Sequence, residues 1–201
     1  EILNKNNSFN YVIKNNTLHF LSKDKNFNGK LNFKPFYFSS NLNFDYINQR
    51  KIFQRESLIL DLFNSELLNN PNLSAIINIF IKKIDKFEYL EDYSLKLEFD
   101  DGRIFINDLD TKWNKSVSII SNDIEFINNE DGKRLIGEIL FNFEDIERFF
   151  RYFQIKRNYR NVFDEIKADI NYDFVLNKLI INNLKIDNKY YQILDDLIEN
   201  T

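Results

Sequence analysis

The sequence contains no cysteine, one histidine, two prolines and four glycines in 201 residues. Without cysteine, thiol catalysis, disulfides and cysteine metal sites are all excluded, while the cellular compartment stays open. With His19 alone, no catalytic His pair and no multi-His metal site can form within the chain. The glycines stand apart at Gly29, Gly102, Gly132 and Gly137, so no Gly-rich phosphate loop exists. No nucleophile elbow and no Ser-x-x-Lys motif occurs. Few prolines and glycines also mean no flexible linker, so residues 1–201 are expected to form a single domain. Long apolar runs are missing too. The stretch from Ala75 to Ile81 is broken by Asn78 and falls far short of the ~20 residues that span a bilayer.

Charge of one sign is also lacking. Lys plus Arg number 27 against 31 Asp plus Glu, a net charge of -4. A mildly acidic domain is a poor general nucleic-acid binder, because counterion release needs a basic surface, so no nucleic-acid partner is expected. No cofactor or metal ligand set is legible. Asp100, Asp101, Asp108 and Asp110 cluster, but without the spaced oxygen ligands and terminal Glu of a calcium loop; they read as turn and solvent-face acids. His19, among Leu18, Phe20 and Leu21, reads as an ordinary strand residue. The chain is therefore expected not to be an enzyme.

What is present is apolar and aromatic: 43% hydrophobic residues and 21 Phe, ample for a core. Their rhythm has period two. Leu31 and Phe33, then Leu42, Phe44 and Tyr46, then Ile77, Ile79 and Ile81, alternate with polar neighbours. So do Ile166, Ala168, Ile170, Tyr172 and Phe174. Each set predicts a half-buried strand. Asn15-Asn16 and Asn177-Lys178 are candidate hairpin turns. Asp101-Gly102 and Asp131-Gly132 are stronger ones, since glycine tolerates positive φ. The first would place Asp100 opposite Arg103, Phe99 opposite Ile104 and Leu97 opposite Ile106. The second would place Glu130 opposite Lys133, Phe126 opposite Gly137 and Ile124 opposite Ile139. Three segments break the rhythm and predict short helices: Ser57–Asn69, Glu144–Ile155 and Lys189–Glu199.

The predicted fold is mainly β with a few short α-helices. A meandering antiparallel sheet of about ten strands has one apolar face, and it must curl into a groove or half-pipe, close, or be covered. The stretch "RFFRYFQIKRNYR", Arg148 to Arg160, mixes five bases with aromatics. Helical periodicity favours Phe residues packed on the sheet with the bases in water. Seating at a lipid interface and stacking on nucleic acid are the alternatives.

Three stretches carry a resemblance to a known family. "GEILFNFEDIERFFRYFQIKRNYR" (Gly137 to Arg160), "GKLNFKPFYFSSNLNFDYI" (Gly29 to Ile47) and "LDLFNSELLNN" (Leu60 to Asn70) are similar to the C-terminal part of AsmA-like proteins of Gram-negative bacteria. The order of strands, Leu-rich helix, Asp-Gly hairpin, Phe-rich helix and final strands is similar too, over about Phe27 to Ile186. The chain begins with Glu1 rather than Met, and is expected to be a fragment or processed product. The resemblance implies a larger periplasmic protein held to the inner membrane through an N-terminal segment outside this chain. It implies a β groove engaged in outer-membrane assembly and phospholipid transport between membranes. It carries over no catalytic residue. On this reading phospholipid acyl chains are the partner. The expected lipid-binding residues are Leu95, Leu97, Phe99, Ile104, Ile106, Ile124, Phe126, Ile139 and Phe141. The alternative is a structural or interaction module whose apolar face is wholly buried by its own helices, with no lipid ligand.

Overall fold

In the computed structural model, which describes residues 8–47, 70–85, 89–129 and 132–190, the period-two segments form one sheet of thirteen strands. In chain order these are β1 (Phe9–Lys14), β2 (Thr17–Ser22), β3 (Phe27–Phe33), β4 (Phe36–Phe44), β5 (Ala75–Lys83), β6 (Leu90–Asp100) and β7 (Arg103–Trp113). Then follow β8 (Val117–Ser121), β9 (Ile124–Asn129), β10 (Gly132–Phe143), β11 (Glu165–Asp173), β12 (Lys178–Ile186) and β13 (Lys189–Tyr190). One α-helix, α1 (Ile146–Tyr152), and a 3-10 turn at Arg157–Tyr159 lie between β10 and β11. Strand order follows chain order, with β8 and β9 sharing the place between β7 and β10. Every pairing between named strands is antiparallel except β4 with β5, which is parallel. The antiparallel expectation fails there because the two strands are joined by a long connection, residues 45–74, rather than a hairpin; parallel neighbours need such a crossover.

Tight turns set the meander. Asn15 and Asn16 (φ 51° and 59°) join β1 to β2, and Asp101 and Gly102 (φ 49° and 72°) join β6 to β7. Both pairs have the positive φ at two residues that matches the twist of a two-residue hairpin. The latter pairs Asp100 with Arg103, Phe99 with Ile104 and Leu97 with Ile106, as the sequence predicts. Asp187 and Asn188 (φ 48° and 62°) make a third turn of this kind and pair Ile186 with Lys189.

Two other hairpins depart from expectation. Between β9 and β10, Asn129 pairs with Gly132, Phe126 with Leu135 and Ile124 with Gly137. The register is two residues off the predicted one, with Gly132 in the strand rather than the turn. The reason lies at Gly137: a Cβ there would sit 2.8 Å from the Ile124 Cα, so this glycine marks a close backbone approach of Ile124, not cover by Phe126. Ile139 instead faces Ala168 of β11. A two-residue slip leaves every side chain on its own face. Between β11 and β12 the turn is four residues, Phe174 to Asn177, because Asp173 pairs with Lys178. The Asp173 carboxylate accepts from the Val175 and Leu176 amides at 2.8 and 2.9 Å, so its own side chain turns the backbone before Asn177 is reached.

Of the three predicted helices, that at Ser57–Asn69 lies outside the described residues. Lys189 and Tyr190, expected to open a terminal helix, form β13, and residues 191–201 lie outside the description. The third is α1, shorter than predicted. Asp145 caps it, its carboxylate accepting from the Arg148 amide at 2.9 Å. It ends in a Schellman motif: the amides of Gln154 and Ile155 donate to the carbonyls of Arg151 and Phe150, with Gln154 at φ 54°. The helix stops there because the chain turns left-handed one residue past the cap.

Candidate functional site: one apolar face of the sheet

Residues directly opposite on neighbouring strands share a face, so the pairings trace continuous rows. One row begins on Ile13, Leu18, Leu31 and Phe38. It continues through Ala75, Phe99, Ile104, Phe126, Leu135 and Tyr172 to Leu179. A second row, one strand-repeat along, runs from Tyr11 and Phe20 through Gly29, Ser40, Ile77, Leu97, Ile106, Ile124, Gly137 and Ile170 to Ile181. Each row crosses eleven strands, about 48 Å at the usual ~4.8 Å spacing. No charged side chain stands in either row.

All nine sequence-predicted residues fall on this face. Phe99, Ile104 and Phe126 are in the first row; Leu97, Ile106 and Ile124 are in the second. Leu95 lies beside Ile79, while Ile139 and Phe141 lie two and four residues beyond Gly137 along β10. They are not equally accessible. Phe99, Ile104, Ile124 and Phe126 are buried, at 6%, 2%, 4% and 8% exposure; the other five are half-buried. Ala75, Phe99, Ile104 and Phe126 form a packed cluster flanked by Phe38, Leu73, Ile77, Leu97 and Leu135. The sequence reading missed Phe38, Ile77, Leu135 and Ile170 as members of the same surface. Their alternation was legible, but the register joining β4 to β5 and β10 to β11 was not.

Polar atoms on this face are mostly silenced by the sheet's own backbone. Ser40 Oγ donates to the Asn28 carbonyl at 2.9 Å, Thr111 Oγ1 to the Glu91 carbonyl at 2.9 Å, and Ser121 Oγ to the Glu138 carbonyl. Tyr93, opposite Ile81, is the exception: its buried Oη has no partner among the described residues. Desolvation pushes that phenol up to about 12.

The opposite face carries most of the charges, although Lys83 and Glu91 pair one repeat beyond Ile81 and Tyr93 at the edge of the apolar face. Lys96 lies 3.5 Å from Glu98 and 3.6 Å from Asp108, and Lys167 lies 2.7 Å from Glu138. The Glu138 hydrogen bond raises the Lys167 pKa. An asparagine ladder crosses three strands there: Asn78 donates to Asn41, and Asn41 to Asn28, each at 2.9 Å. His19 is exposed on this face, between Val12 and Lys30. Among the described residues no group of three His, Asp or Glu could hold a metal ion, the Asp100–Asp110 region included.

Helix α1 sits against one end of the apolar face. Phe149 meets Phe143 and Trp113 edge-on at 5.1 and 5.8 Å, and Phe153 stacks on Trp113 at 5.5 Å. Trp113 and Phe143 both pair with Val117, which fixes them to that face. Phe149 and Phe150 turn inward and Arg148, Arg151 and Arg157 are exposed, as expected, but Phe153 is 54% exposed and Arg160 is half-buried, so the Phe-in, Arg-out arrangement holds only in part. Among the described residues no helix is long and apolar enough to cross a membrane. No family model, no curated protein and no solved structure matches this chain.

Proposed function

We propose that this chain is a non-catalytic lipid-binding segment of a β-groove protein of the AsmA-like kind, cradling phospholipid acyl chains along its apolar face. The observation that supports it is the continuity of that face: rows of apolar side chains cross eleven strands without a charge. A lipid tail spans about half of a ~30 Å hydrocarbon core, so the floor, about 48 Å across its strands at the usual spacing, exceeds one tail in that direction. Each methylene removed from water contributes about 0.8 kcal/mol, so area alone supplies affinity and no directional chemistry is needed. A periplasmic location, with an inner-membrane anchor outside this chain and a role in outer-membrane assembly, goes with this reading.

The burial of Phe99, Ile104, Ile124 and Phe126 favours a second reading, an interaction module whose apolar face is filled by its own chain. Two measurements separate them. Native mass spectrometry of the purified protein should reveal bound phospholipid. A photo-crosslinker at the half-buried Ile106 or Ile139 should capture phospholipid in cells, while one at Lys96, on the charged face, should not. Crosslinks to protein alone at both apolar positions would decide for the interaction module.

A further inference from the structure

We propose that the cleft between α1 and the Arg157–Tyr159 turn is a binding site for a phosphate group. The cleft measures about 500 Å³ and is lined by Glu147, Arg151, Arg157 and Arg160. The chain is folded back to make it. The Schellman turn ends α1 at Phe153, Lys156 is extended (φ -64°, ψ 143°), and the 3-10 turn then returns Arg157 and Arg160 to the helix.

Arg160 is fixed in place. Its Nε donates to the Ile155 carbonyl at 2.9 Å, its Nη1 donates to Glu147 Oε2 at 2.8 Å, and its guanidinium lies 5.8 Å from the Phe150 ring centroid. Its side chain is only 19% exposed. Glu147, the single carboxylate of the cleft, is thus committed to Arg160. Arg151 and Arg157 have no anionic partner among the described residues, so two positive charges face one cavity uncompensated. Two like charges lining one cleft disfavour each other, and a bound anion would relieve this. Glu147 here accepts from one nitrogen of the Arg160 guanidinium and from neither of the other two arginines. A phosphate group presents more oxygens and can be held by separate forks at once, which is the recognition arginine favours.

α1 and its C-cap carry both features of the molecule: Phe149 and Phe153 against the apolar floor, Glu147 and Arg151 on the cleft. The site does not depend on the acyl-chain reading. The phosphate could belong to a lipid headgroup or to a soluble ion, and two arms of one experiment distinguish these. In the first, the 201-residue protein is titrated calorimetrically with inorganic phosphate at constant ionic strength, with chloride as the balancing anion. In the second, it is sedimented with phosphatidylcholine vesicles with and without phosphatidic acid. Arg151 and Arg157 are exposed, so R151Q/R157Q should melt as the parent does. That double variant should weaken binding about tenfold or more, as expected on losing charge-assisted hydrogen bonds. The K14Q/K23Q control, which removes the same charge on β1 and just past β2, should not. Phosphate binding without vesicle association assigns a soluble ion. Vesicle association needing both phosphatidic acid and the two arginines assigns a headgroup. Absence of both, or equal binding by R151Q/R157Q, or an equal loss in K14Q/K23Q, overturns the site.

Discussion

Phe20 covers Gly29, its direct partner on the neighbouring strand. A Cβ built on Gly29 would meet the Ser39 backbone carbonyl first and would lie 2.6 Å from the Phe20 Cζ, both closer than a Cβ approaches other atoms. The ring occupies the space a side chain would fill, and stacks at 6.1 Å on Phe38. An aromatic side chain rescuing a strand glycine is a recurring device in sheets. Gly29→Ala should therefore destabilise the fold by about 1–3 kcal/mol, the usual cost of overpacking. Thermal melting of the variant measures it, and an unchanged midpoint would show that both the Phe20 ring and the Ser39 backbone give way freely.

The sign of each face can be tested on one strand. Phe99 is 6% exposed on the apolar face, while Lys96 pairs with Glu98 and Asp108 on the other. Phe99→Asp buries a carboxylate without a partner and should cost several kcal/mol. Lys96→Gln breaks partly exposed ion pairs and should cost under about 1 kcal/mol. Chemical denaturation of the two variants should separate them widely; similar midpoints would reverse the face assignment.

Much of this was readable in the residues because a one-faced strand writes its burial into every second position. The Asp101-Gly102 hairpin came out in register since glycine at the second turn position leaves little choice. The Asp131-Gly132 hairpin did not, because Gly137 and Ile124 approach too closely for another pairing, and backbone proximity leaves no periodic trace. Asp187-Asn188 carried the same turn signal as Asn15-Asn16. The helix expected over Lys189–Glu199 left no strand to follow that turn, whereas strand β13 begins directly after it. The parallel joint of β4 and β5 depends on a long connection, and local pattern says nothing of direction. The Arg cleft was visible only as a run of bases. Which of them share a cavity depends on the left-handed Gln154, a conformation that glutamine does not advertise.

Tyr93 gives a pH-dependent prediction. Its Oη is buried with no partner among the described residues, and its pKa is raised from 10.0 to about 12. A raised folded pKa means that the neutral phenol is favoured in the folded state. The associated stability is whole below pH 10, where both states are protonated, and is lost as pH rises from 10 to about 12. Tyr93→Phe removes both the titration and the unsatisfied hydroxyl. It should be as stable as the parent at neutral pH, or more so by up to about 1–3 kcal/mol, and should lack this part of the alkaline decline. Melting curves between pH 8 and 12 read both effects, and a clear loss of stability at neutral pH would mean that the hydroxyl has a partner.

Trp113 is the only tryptophan and stands where the apolar face meets α1. Phe153 stacks on its ring at 5.5 Å, and Tyr152 meets it edge-on at 4.8 Å. Its emission therefore reports on that end of the floor alone. Acyl chains lying along the face and reaching α1 would bring their carbons within contact of the indole. Delipidated protein loaded with phospholipid brominated on its acyl chains should then lose Trp113 fluorescence, while the unbrominated lipid of equal length should not quench it. Bromine acts at contact, so quenching requires that the chain itself lie beside the ring. Ile139→Ser tests whether the floor supplies the affinity. It removes apolar contact worth up to about 2 kcal/mol at about 0.8 kcal/mol per methylene, so half-quenching should need up to roughly thirtyfold more lipid. Equal emission with both lipids would place no acyl chain at this end of the sheet. Quenching that Ile139→Ser leaves unchanged would put the lipid on Trp113 and α1 without using the floor.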